Sequence, residues 1–214
     1  MPRLNLNRRL FLQRAGLASL ALPAFSAAPS AIRTAKTPLP IRKPPRLRRG
    51  DIVGLISPGG LISNPFDVSD AEETLAGLGL RTRRGRHVLD HRGYLGGTDA
   101  ERASDVNRMF ADPNVKAIIA MRGGWGCSRI LPLLNYNLIR AHPKILCGYS
   151  DVTSLLVGIY AKSGIVTFHG PVGISTWNDF TIDYFVRTLF DGERLRMETP
   201  PPPPRLFASF RGPS

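Results

Sequence analysis

The chain has 214 residues, enough for one domain with a proper core, and carries 29 Lys and Arg against 16 Asp and Glu. The net charge of +13 has the size expected of a nucleic-acid binder, but its distribution excludes that class. Residues 1–49 hold 11 of the basic residues and no acid, while residues 50–214 are nearly neutral and lack a basic stripe interleaved with aromatics.

Residues 1–28 read as an export signal. Arg3, Arg8, Arg9 and Arg14 form a positive region, residues 15–24 are apolar but too few to span a bilayer, and small residues follow at 24–28. The run Asn7-Arg8-Arg9-Leu10-Phe11-Leu12-Gln13 resembles the twin-arginine signal, which implies export to the periplasm. A basic amphipathic arm is the alternative. Residues 29–49 carry Pro29, Pro38, Pro40, Pro44 and Pro45 and read as an extended linker, so the folded domain is expected over residues 50–191. Pro200 to Pro204 mark residues 192–214 as a proline-rich tail, expected to be disordered.

Within the body, residues 51–57 form an apolar, β-branched strand ended by Pro58-Gly59-Gly60. Ser69 and Glu72 match a capping box that opens a helix to about Leu78, with Gly79 as its stop. A short polar edge strand fits residues 80–88. After the glycine-rich loop 91–97, Thr98 and Glu101 form a second capping box for a helix to about Phe110. Residues 116–121 are a second buried strand that runs into Arg122-Gly123-Gly124-Trp125-Gly126, with a helix predicted to Leu134. Residues 145–147 and 165–168 are further strands, and helices are predicted over 152–162 and 181–190. Cys127 and Cys147 lack metal-ligand spacing and read as small core residues, with a disulfide left open. His87, His91 and His142 read as surface or loop residues.

Alternating strands and helices predict an α/β fold with a largely parallel sheet, where ligands bind outside the carboxyl ends of the strands. Three glycine-bearing loops fall at those ends: Pro58 to Gly60, Arg122 to Gly126, and Gly148-Tyr149-Ser150-Asp151. Ser150 stands at a strand-to-helix corner, where unpaired N–H groups can hold a developing oxyanion. That is the logic of a nucleophile elbow, although Ser154 occupies the place of the second glycine in the Gly-x-Ser-x-Gly form. The alternative is that Ser150 or Asp151 caps the next helix.

Arg122 to Gly126, Gly148 to Asp151 and His169-Gly170-Pro171, in that order and spacing, resemble the LD-carboxypeptidases, serine peptidases that include the microcin C immunity proteins. The opening residues 50–58 fit the same family, and the likeness covers about residues 50–191. The resemblance implies a two-domain enzyme in which the N-terminal α/β domain carries the nucleophile. It makes Ser150 the nucleophile and the backbone N–H groups of Asp151 and Gly124 the oxyanion hole. Family members take Glu and His from a C-terminal domain, so the resemblance implies a truncated member here.

The implied activity is hydrolysis of the amide between an L-configured diamino acid and terminal D-alanine in murein peptides, with no metal or organic cofactor. Arg122, Gly123, Trp125 and His169 are the candidate substrate contacts. Arg122 would grip a carboxylate or hold its loop by a salt bridge, Trp125 would wall the pocket or join the core, and His169 matches a structural loop of the family. The expected partner is a murein peptide, with no nucleic acid or membrane span and with a homodimer left open. A microcin-immunity-like amidase and a non-catalytic peptide binder are the alternatives.

Overall fold

The computed structural model describes residues 39–196 and 198. The signal at residues 1–28 and most of the proline-rich tail lie outside the described residues.

Five strands alternate with helices along the chain. They are β1 (Ile52–Ile56), α1 (Phe66–Gly77), β2 (Arg81–Arg84), α2 (Asp99–Ala111), β3 (Val115–Ala120), α3 (Cys127–Ile130), α4 (Tyr136–Ala141), β4 (Ile145–Gly148), α5 (Thr153–Ser163), β5 (Phe168–His169) and α6 (Asp179–Val186). The sheet is parallel throughout, in the order β2-β1-β3-β4-β5. Chain order reverses across the β1/β3 pair, where an α/β sheet opens a crevice for ligands.

Period-two alternation in the strands fills both faces of this sheet. Val53, Leu55, Ala117, Ile119, Ile145 and Cys147 point to one side, where Val68, Ala71 and Leu75 of α1 pack with Phe185. Ile56, Ile118, Ala120 and Leu146 point to the other, against Val106, Met109 and Phe110 of α2 and Leu155 and Ile159 of α5. Burial on both faces explains why the central strands read as continuous apolar runs.

Local chemistry moves several boundaries. Helix α1 begins at Phe66 rather than at the Ser69 box. Pro65 already has helical φ, and the Asn64 carboxamide oxygen accepts the Phe66 N–H at 3.2 Å, so Ser69 falls inside the helix. The Thr98 and Glu101 box does form, with both reciprocal hydrogen bonds. The helix predicted to Leu134 breaks after Ile130 into a 3-10 turn carrying Pro132, and a further helix, α4, is capped by Asn135. Residues 39–49 are extended but not free of the body. Arg42 exchanges backbone hydrogen bonds with Gly164 and Val166, and Leu47 is 2 % exposed in the core beside Leu189.

At the opposite end of the sheet from the glycine loops, Lys144 is buried. Its ammonium donates to the Met109 carbonyl at 2.8 Å and to that of Asp112. Burial, reinforced by the Lys116 charge, pushes its pKa down to about 8. An unfolded lysine, with a pKa of about 10.4, keeps its proton longer. Between these values the unfolded chain binds more protons, so stability rises with pH. This contribution is complete above the unfolded value and gone below the folded one. Lys144→Met, which retains the apolar stem, should flatten that rise relative to wild type in thermal melts across this window. Parallel profiles for the two proteins would contradict it.

Candidate active site

Ser150 follows the last residue pair of β4 and has φ 63°, the only left-handed backbone among described residues other than glycine. The chain must reverse there from extended Tyr149 into a 3-10 turn (Ser150–Val152) that leads into α5. A left-handed L-residue costs about 1–2 kcal/mol, and such strain concentrates at functional corners. The Ser150 side chain caps neither the 3-10 turn nor α5, and the Asp151 carboxylate accepts the Cys127 N–H instead, which removes the capping alternative for both residues. Ser150 is exposed, and its hydroxyl has no hydrogen-bond partner among the described residues.

The three glycine loops meet around this corner. The Gly60 N–H donates to the Gly123 carbonyl at 2.8 Å. A Cβ on Gly123 would lie 2.9 Å from the Ser150 Cβ and 3.1 Å from its Oγ, so the loop passes too close to the elbow for any side chain. Gly124 has φ 113°, and a Cβ there would stand 2.7 Å from the Gly60 nitrogen. Asp151 locks the elbow to the same loop, its carboxylate accepting the Cys127 N–H at 2.9 Å. Neither the Asp151 N–H nor the Gly124 N–H donates to a backbone carbonyl among the described residues, as expected of free donors at a helix start and a glycine loop.

The other candidates separate. Arg122 forms no ion pair among the described residues; one Nη donates to the Leu61 carbonyl at 3.1 Å, and its buried Nε lacks a partner. The loop is therefore held by a backbone contact, not by the salt bridge considered from sequence. Trp125 is 76 % exposed and belongs to no core. His169 is exposed, with its ring centroid 6.3 Å from that of Tyr149, and makes no hydrogen bond to Ser150. His169 and Tyr149 line an apolar cavity of about 470 Å³ with Phe180 and Tyr184, but Ser150 does not line it.

Both cysteines are free and buried. Burial, with the Asp151 charge adding to it, holds the Cys127 thiol strongly protonated, and burial pushes Cys147 up to about 12. Neither thiol competes with Ser150 as a nucleophile.

Sequence reasoning missed the residue that holds the rim together. Arg102 on α2 is 1 % exposed and donates to the carbonyls of Pro58 and Gly126, the latter at 3.0 Å, and to Asp99. Asp99 in turn pairs with Arg129. One guanidinium thus ties the first glycine turn to the second. The available signal was a charge on the apolar stripe of α2, between Ala103 and Asp99 and one turn before Val106.

Residues 53–170 match the LD-carboxypeptidase N-terminal domain. The "Probable murein peptide carboxypeptidase" of Bacillus subtilis is 43 % identical over 130 residues, covering 61 % of this chain and 40 % of that protein. The microcin C7 self-immunity protein of Escherichia coli is 34 % identical over 152 residues, covering 65 % and 43 % respectively. The crystal structure of a similar immunity-like protein from Bacillus anthracis shares 35 % identity at a TM-score of 0.66, over 70 % of this chain and 47 % of that one. The chain spans about half the length of the relatives it matches. With its parallel sheet, its strained serine corner and this match, the chain belongs to the LD-carboxypeptidase family.

Proposed function

We propose that this chain carries the nucleophile half of a serine carboxypeptidase acting on murein peptides. The observation that carries the reading is Ser150: left-handed, exposed, uncapped and pressed against Gly123. Its hydroxyl attacks the carbonyl of the L-configured diamino acid, and the Asp151 and Gly124 N–H groups receive the oxyanion. D-alanine leaves, and water releases the acyl-enzyme. A serine hydroxyl needs a base to take its proton. The family resemblance assigns that base and its orienting acid to a C-terminal domain outside the matched residues. Arg122, with one Nη engaged on Leu61, supports a reading in which its remaining donors meet the terminal carboxylate. Exposed Trp125 follows Gly124 in the same loop, which supports a reading in which it walls the pocket.

The experiment joins the full chain to the C-terminal half of the Bacillus relative and follows D-alanine release from murein tetrapeptide. Turnover supports the reading. A folded hybrid that binds the peptide without turnover favours a non-catalytic binder. The similarity to the microcin self-immunity proteins supports a second reading, a detoxifying amidase, which an aminoacyl nucleotide substrate in the same assay would distinguish.

The paired arginines Arg8 and Arg9, followed by an apolar run and small residues, support export of the folded chain. Sequencing the N-terminus of periplasmic protein should find residues 1–28 removed. An intact Met1 there, or normal export of an Arg8→Lys/Arg9→Lys pair, would defeat this reading.

A further inference from the structure

A second cluster of reactive side chains lies outside the serine corner, where the loop after β2 meets the start of α2. His87, Asp90 and Glu101 each offer a ligand atom, and these atoms all fall within 4.8 Å of one another. The His87 Nδ1–H donates to Asp90 Oδ2 at 2.7 Å. The three side chains are half-buried, and Asp90 and Glu101 line a cleft of about 430 Å³ together with His91 and Arg92.

The frame around this cluster is fixed before any ligand arrives. Buried Asp105 accepts the N–H groups of Arg86 and His87 at 3.1 and 2.9 Å, and Ser57 Oγ donates to the Val88 carbonyl at 2.6 Å. Glu101 is held by its capping bond, the Thr98 N–H donating to Oε2 at 2.7 Å, so one carboxylate oxygen is committed. Gly97, at φ 105°, passes between the two acids. A Cβ on it would lie 3.1 Å from Glu101 Oε2 and 3.4 Å from the Asp90 Cβ. Two carboxylates and an imidazole are thus collected on one rigid corner, where the acids repel unless a cation joins them.

We propose that His87, Asp90 and Glu101 form a binding site for a first-row divalent cation of the zinc class. One imidazole nitrogen and two carboxylate oxygens suit such an ion, and three protein ligands leave positions for water. The ion takes no part in the serine chemistry and is independent of that reading. It clips the loop after β2 to the first turn of α2. The adjoining loop pairs Leu95 with Gly60, and the Gly96 N–H donates to the Gly59 carbonyl at 3.0 Å, so the clip stands behind the first glycine turn. Exposed Arg92 is the competing cation in the cleft.

Titration of the purified full chain with zinc chloride, read by calorimetry, tests the site. Cobalt absorption in the visible range reports ligand geometry in parallel. The expected result is one ion per chain. His87→Ala and Glu101→Gln should each weaken binding by about 10-fold or more, while Arg92→Ala should strengthen it and His142→Ala should leave it unchanged. Glutamine keeps the capping box, and alanine at position 87 keeps the backbone bond to Asp105, so both variants should fold as wild type by circular dichroism. Should either misfold, His87→Gln and Asp90→Asn provide the same comparison. Absence of saturable binding, or saturable binding that survives loss of both His87 and Glu101 ligands, would overturn the proposal.

Discussion

Ser150→Ala, in the full chain joined to a relative's C-terminal half, should abolish D-alanine release while leaving the fold intact. Loss of a covalent nucleophile commonly removes roughly 10⁴ to 10⁶ in rate. The side chain is exposed, caps no helix and has no hydrogen-bond partner among the described residues, so removing its hydroxyl leaves nothing buried and unpaired. Alanine also keeps the left-handed strain at φ 63°, so thermal stability should stay within about 0.5 kcal/mol of wild type, the range of ordinary surface substitutions. A helix cap would have behaved in the opposite way, losing about 1 kcal/mol and keeping turnover. Ser154 is the control. It lies one turn further along α5, and Ser154→Ala should be silent in the assay. Turnover that survives Ser150→Ala would place the nucleophile elsewhere.

Arg102→Ala should produce the largest loss of stability, about 3 kcal/mol, the lower end of the range for removing one partner of a buried ionic contact. The substitution strips hydrogen bonds from the Pro58 and Gly126 carbonyls in the interior and leaves a cavity where a full side chain stood. It also removes one tie between the two glycine turns and leaves the Gly60–Gly123 hydrogen bond as the other. Activity of the hybrid should therefore fall even under conditions where the variant remains folded. Arg102→Lys should recover only part of the stability, because a point ammonium lacks the planar fork that reaches both carbonyls and Asp99. Urea denaturation of the three proteins checks the order. Equal midpoints for wild type and Arg102→Ala would refute the clamp.

The expectations that held are those set by local chemistry. Thr98 and Glu101 fix a helix start through two reciprocal bonds between near neighbours, and the apolar runs of β1, β3 and β4 can be satisfied only by burial on both faces. The expectations that moved depended on competition between neighbours or on distant partners. Ser69 and Glu72 satisfy the capping pattern, yet Asn64 and Pro65 start α1 one turn earlier. Residues 39–49 have a linker's composition, yet Leu47 finds a core pocket beside Leu189, far along the chain. That Arg122 would grip a carboxylate or hold its loop by a salt bridge was legible, but not that the Leu61 carbonyl would receive it.

By itself the sequence determined the α/β order, the three glycine loops at strand ends and the position of Ser150 at a strand-to-helix corner. Each is written in adjacent residues: strand periodicity, glycine where a side chain cannot fit, and an apolar run stopping at Gly148. The tertiary structure alone decided that the loops touch, because their contacts join residues far apart in the chain. Gly60 reaches Gly123, Gly123 presses on Ser150, and Asp151 receives the Cys127 N–H. It also decided that Ser150 carries left-handed strain rather than a cap, and that Arg102 is buried between two turns. Such facts follow from strand order and from how closely packed loops share hydrogen bonds, which no local pattern of residues encodes.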